Sequence, residues 1–168
     1  MSMIGNFKTC SGPKLQELFA NPSGISSFLY PEDYDYETPD PTCLDIDKAW
    51  HAIHFLLTGD SYEGEAPLNF ICMGGIPIGD EDVGYGPARG LTPVEVTELD
   101  VALKPISSTD LRDKYNAAQF VEESIYPNIW DESVEECLDD YVLDYYEELK
   151  KFISTAAQEN QALIVYLN

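Results

Sequence analysis

The sequence predicts an α+β fold: one compact domain of 168 residues in which a small sheet containing both chain ends packs against several helices. Three observations carry that expectation. Residues 3–7 and 162–167 are short apolar runs of strand length, and the second is apolar enough to be covered on both faces. Between them helix-start signals recur, but strands and helices do not alternate in the regular way a doubly wound parallel sheet requires. The length suits one domain with a full-sized core and is too short for two.

The elements follow in order. After the first strand, Ser11, Gly12 and Pro13 open a helix with Leu15, Leu18 and Phe19 on one stripe, ended by Asn21 and Pro22. Residues 22–43, rich in proline, tyrosine and carboxylates, read as an exposed acidic loop or insertion. Residues 44–58 read as one helix with Ile46, Ala49, Trp50, Ile53 and Leu57 facing the core and Gly59 as its stop. Residues 67–73 are an apolar segment that is either a buried strand or a helical turn. The stretch GGIPIGDEDVGYGPARG, residues 74–90, reads as turns. Thr92, Pro93 and Glu95 then form a capping box that starts a helix running to about Lys104. A short helix from Ser107 or Ser108 passes Leu111 and Tyr115, and Pro127 enforces an extended connection. Ser133 and Glu136 repeat the capping-box pattern before the longest helix, whose stripe is Val134, Leu138, Tyr141, Tyr145, Leu149, Phe152 and Ala156, with the tyrosines at 141, 145 and 146 dividing between core and helix surface. Asn160 ends it ahead of the last strand.

Charge narrows the classes of partner. Nine Lys and Arg stand against 31 Asp and Glu, a formal net charge of −22. A chain with no basic cluster larger than Lys150 and Lys151 lacks the footprint that displaces counterions from nucleic acid, and anionic membrane surfaces repel it. No run of eighteen apolar residues and no secretory leader pattern is present, which predicts a cytoplasmic protein. Cys10, Cys43, Cys72 and Cys137 form no CxxC pair and read as free thiols of a reducing compartment. Such a field favours a basic protein partner, in the manner of an immunity or antitoxin protein, and tyrosines among the carboxylates supply interface anchors. Tyr30, Tyr34 and Tyr36 are the candidate partner-binding residues.

Several stretches together resemble the YfbM-like family of uncharacterised bacterial proteins: the opening MSMIGNF, the block LDIDKAWHAIHFLLTG, the run GYGPARGLTP, the segment IYPNIW, and the final helix followed by ALIVYL. The resemblance spans nearly the whole chain. It implies a compact, intracellular α+β domain and no activity.

Two candidate sites remain. The glycine-rich stretch has no lysine for a phosphate loop, lacks the third glycine of a dinucleotide fingerprint, and carries Leu91 where a calcium loop starting at Asp80 needs glutamate. No cofactor or metal is therefore expected there. Arg89 alone, ahead of a helix start, is a candidate anion contact. On the 44–58 helix, Asp47, His51 and His54 fall within about 60° of one another at 100° per residue, suiting proton transfer in a small-molecule site. The spacing would also let the three converge on one metal ion, though without the HExxH pattern or a further ligand, and it describes as well a core histidine beside a surface Asp47 and His51 pair.

Overall fold

The computed structural model describes residues 2–32 and 38–168. Five antiparallel strands form one sheet in the order β2-β1-β5-β4-β3: β1 Gly5–Cys10, β2 Cys43–Asp45, β3 Ile76–Pro77, β4 Arg89–Leu91 and β5 Ala162–Leu167. The two terminal strands lie side by side at the centre, Gly5 opposite Leu167 and Cys10 opposite Ala162. The α+β expectation, with both chain ends in the sheet, therefore holds.

Alternation along β5 explains its unbroken apolar run. Leu163 and Val165 join the larger core with Phe7 and Leu91, while Ala162, Ile164 and Tyr166 join a second core on the opposite face. The larger core is closed by α3 Trp50–Thr58, α4 Pro93–Leu103, α5 Ser108–Lys114, α6 Ala117–Glu122 and α7 Asp144–Gln158. The second is closed by α1 Gly12–Ala20 and α2 Ile25–Leu29.

Capping chemistry sets several boundaries as expected. Ser11 accepts from the Lys14 amide at 3.2 Å to start α1, and Thr92 and Glu95 cap each other reciprocally at α4. Gly59 ends α3 in the left-handed region at φ 76°. The glycine-rich stretch holds β3 and β4 and the loop joining them. Asp82 spends its carboxylate on the amides of Gly84 and Gly86, and a Cβ on Gly84 would come within 2.5 Å of the Asn168 backbone, so this loop is seated closely on the end of β5.

Three expectations need correction and one open alternative is resolved. Residues 44–58 are not one helix: residues 43–45 pair with β1, the Asp45 carboxylate accepts from the Asp47 amide at 2.6 Å, and the α-helix begins only at Trp50 after a 3-10 turn at Asp47–Ala49. Strand pairing there outweighs helical periodicity. The acidic loop assigned to residues 22–43 begins later, because Pro22–Gly24 form a 3-10 turn and α2 buries Ile25 and Leu29. Residues 67–73 form successive turns, the Asn69 and Met73 amides donating to the Glu65 and Asn69 carbonyls, which is the helical-turn alternative rather than a buried strand. Helix α6, capped by Asn116 and buried through Phe120, lies where only a connection was anticipated.

The last helix departs most from simple periodicity. Glu135–Leu143 is π-helical and α-helix follows only from Asp144. Cys137 and Leu138 repeat in Val142 and Leu143 at a spacing of five, which matches i→i+5 winding and buries all four. Val134, expected in the core stripe, is 40% exposed. No described helix is long and apolar enough to cross a membrane.

Candidate functional site

The residues drawn together by spacing on the sequence are sent to different surroundings. His51 is fully buried and clamped at both nitrogens: its Nδ1 accepts from the Tyr126 amide at 3.0 Å, so Nε2 carries the proton and donates to the Ser61 carbonyl at 2.7 Å. Its ring stacks on Trp50 at 4.8 Å and meets Tyr62 at the same distance. Burial lowers its pKa, keeping the ring neutral. His54 is also fully buried, and neither ring nitrogen forms a hydrogen bond among the described residues. Burial first, then His51, pushes its pKa down to about 4, against the opposing pull of the Glu63 backbone and Asp60.

Asp47 faces elsewhere because it precedes α3, in a turn with φ 46°. Its carboxylate accepts from the Tyr141 hydroxyl at 3.0 Å, and that hydroxyl in turn accepts from the Lys48 amide at 3.1 Å. The structure thus joins Asp47 not to the two histidines but to the π-helical segment and α7. Among the described residues no cluster of three His, Cys, Asp or Glu is arranged to hold a metal.

That union makes an open acidic groove of about 660 Å³. The strand end supplies Asp45 and Asp47; the π-helical segment and α7 supply Asp140, Tyr141, Asp144, Tyr145 and Glu148. Five carboxylates and two tyrosines line it, and no lysine or arginine does so among the described residues. The two phenol rings meet edge to face at 5.4 Å. Burial, then the Asp47 and Asp45 charges, raise the Tyr145 pKa, while burial and the bond to Asp47 raise that of Tyr141. Both phenols stay protonated donors in a negative field.

Sequence reasoning divided Tyr141, Tyr145 and Tyr146 between core and helix surface and passed over this groove. The readable signal is the four-residue repeat of Asp140, Asp144 and Glu148, with Tyr141 and Tyr145 one step behind the first two. What it omits is the partner edge, since Asp45 and Asp47 arrive from a strand almost a hundred residues away, as the 94-residue separation of Asp47 and Tyr141 shows.

The other candidates occupy separate places. Arg89 reaches back under the 67–74 turns, donating through Nη1 to the Phe70 carbonyl at 3.0 Å and to that of Gly74, and through Nη2 to that of Ile71. It caps three carbonyls rather than standing at the start of α4. Tyr30 is 39% exposed, yet its hydroxyl donates to the Val83 carbonyl and accepts from Asn168, both at 3.1 Å, and its ring meets Tyr166 edge to face. Tyr34 and Tyr36 lie outside the described residues. All four cysteines are free, Cys10 and Cys137 buried and Cys43 and Cys72 half-buried.

No curated protein matches the chain. Among solved structures, the crystal structure of YfbM from Escherichia coli, a protein of unknown function, shares the fold with a TM-score of 0.69, 22% identity, and coverage of 98% of this chain and 99% of that one. A family profile described as Domain of unknown function (DUF1877) matches residues 1–166.

Proposed function

This chain belongs to the DUF1877 family of domains of unknown function, and from that premise we propose that it is a non-enzymatic interaction domain binding a basic protein partner through the acidic groove. The observation that carries the reading is the convergence of Asp45, Asp47, Asp140, Asp144 and Glu148 around two half-buried tyrosines, with no lysine or arginine lining the groove among the described residues. Carboxylates held apart by the fold rather than paired with lysines retain their full attraction for an incoming cation. Tyrosines at the floor offer rings for contact and hydroxyls for hydrogen bonds, the residue type that most often anchors an interface. A chain carrying −22 charges disfavours nucleic acid, and four free thiols suit a reducing cytoplasm.

The test is a titration with an arginine-rich peptide followed by fluorescence anisotropy. Neutralising Asp140→Asn, Asp144→Asn and Glu148→Gln together should weaken binding at least tenfold. The same charge change at the exposed Glu98, Glu122 and Glu132 should weaken it about twofold, because distant charges act only through the screened field. Equal losses from the two triple variants would reduce the groove to a share of net charge and sink the proposal.

A further inference from the structure

Away from the acidic groove, and sharing no residue with it, lies a pocket of about 370 Å³ whose chemistry runs opposite to the rest of the molecule. In a chain with 31 acidic residues, none of the ten residues lining this pocket is acidic, and the one charged side chain among them is Arg89. Trp50 and Tyr166 form buried walls, Tyr62 and Tyr85 stand at the rim, 59% and 41% exposed, and Cys72 lies beside the guanidinium.

Among the described residues Arg89 also forms no salt bridge with a carboxylate. Lys8, Lys14, Lys104 and Arg112 pair with carboxylates there, whereas Arg89, like Lys114 and Lys150, hydrogen-bonds to backbone carbonyls, and of these three it alone lines this pocket. Those carbonyls take both Nη1 protons and one Nη2 proton; of five donors, the Nε–H and the second Nη2–H have no acceptor among the described residues. Burial acts against its charge, and the neighbouring acid is the Cys72 thiol, which burial pushes up to about 12 and so keeps neutral. A cation held in place by three carbonyls, with donors to spare, no carboxylate partner among the described residues, and aromatic rings lining the same pocket, is complementary to an anion with a flat apolar body. The volume is that of a small-molecule site, apolar with one well-placed polar group.

We propose that this pocket binds a small carboxylate carrying a planar aromatic body, the carboxylate taken by Arg89 and the ring lodged among Trp50, Tyr62 and Tyr85. The three carbonyl bonds orient the guanidinium before any ligand arrives, so little entropy is lost on binding. The negative charge of the whole molecule excludes small anions from other surfaces, which makes this pocket selective against its background.

The two tryptophans give an internal control, because the Trp50 indole N–H donates to the Met3 carbonyl at the pocket while that of Trp130 donates to Ile125 in the core. Sodium 2-naphthoate, added to ¹⁵N-labelled protein near 0.15 M salt, should shift the Trp50 indole signal saturably with a millimolar or tighter Kd and leave Trp130 in place. The uncharged isostere 2-naphthalenemethanol should bind at least tenfold more weakly. Tyr62→Ala, at an exposed position, should keep the fold and weaken naphthoate binding several-fold, and Arg89→Gln, if folded, should abolish the preference for naphthoate. An unmoved Trp50 signal, equal movement of both indoles, or equal affinity for acid and alcohol would each overturn the proposal, whatever the fate of the Arg89 variant.

Discussion

At His54, deep burial gives one side chain control over part of the pH response. Its ring is fully buried, has no hydrogen bond among the described residues, and titrates near 4 in the folded chain against about 6.5 when unfolded. A folded pKa below the unfolded one means that the unfolded chain binds the proton first as pH falls. Stability is therefore lost on descending from about 6.5 towards 4, and is intact above that window. Between pH 7 and pH 5 the loss from this residue comes to about 2 kcal/mol. Urea denaturation of wild type and His54→Leu at both pH values should show the wild type losing about 2 kcal/mol more; equal losses would mean that the ring finds a partner and titrates normally. His51 answers differently to the same burial, because the Tyr126 amide and Ser61 carbonyl satisfy both its nitrogens, so its substitution removes two hydrogen bonds as well as a ring.

At the scale of elements, the π-helical segment decides which side chains meet water. Ordinary α-helical winding from Ser133 would turn Val134, Tyr141 and Tyr145 towards the core; winding by i→i+5 buries Cys137, Leu138, Val142 and Leu143 instead, and leaves Tyr141 and Tyr145 in the groove wall. Val142→Ala should then cost about 2 kcal/mol in chemical denaturation, and Val134→Ala under about 0.5 kcal/mol. Comparable costs at the two sites would restore the α-helical register. The segment is legible in retrospect from its spacing of five. Periodicity templates of 3.6 residues assign it to the wrong face because they average across the change of winding. Residues 44–49 misled for a related reason: Ile46 and Ala49 do sit in the core, but a strand end and a tight turn bring them there as well as a helix would.

Over the whole molecule the net charge of −22 sets a cost that salt relieves. Few of the carboxylates are paired: among the described residues four salt bridges occur, three of them with a partner at least one third exposed. Self-repulsion destabilises the compact state, so raising sodium chloride from about 0.02 M to about 0.5 M should raise Tm by several degrees, as the Debye length falls below the spacing of surface charges. A flat or falling Tm in a thermal scan would show that pairing outweighs repulsion. The same field draws a cationic partner towards the groove and leaves the Arg89 pocket as an exception to it.

What the sequence determined by itself is what depends on local chemistry. The terminal strands, the Ser11 and Thr92 caps, the Gly59 stop and the α+β class all follow from residues a few positions apart, where hydrogen-bond and steric preferences act directly. The tertiary structure alone decided what depends on distant segments meeting. It joined Asp47 to Tyr141 across 94 positions, gave His51 its tautomer through Tyr126 across 75, and turned Arg89 from a helix start to carbonyls 15 to 19 residues earlier. Each of those contacts is weak against the entropy of closing so long a loop, and forms only because the surrounding apolar core has already brought the segments together; spacing along the chain carries no record of it.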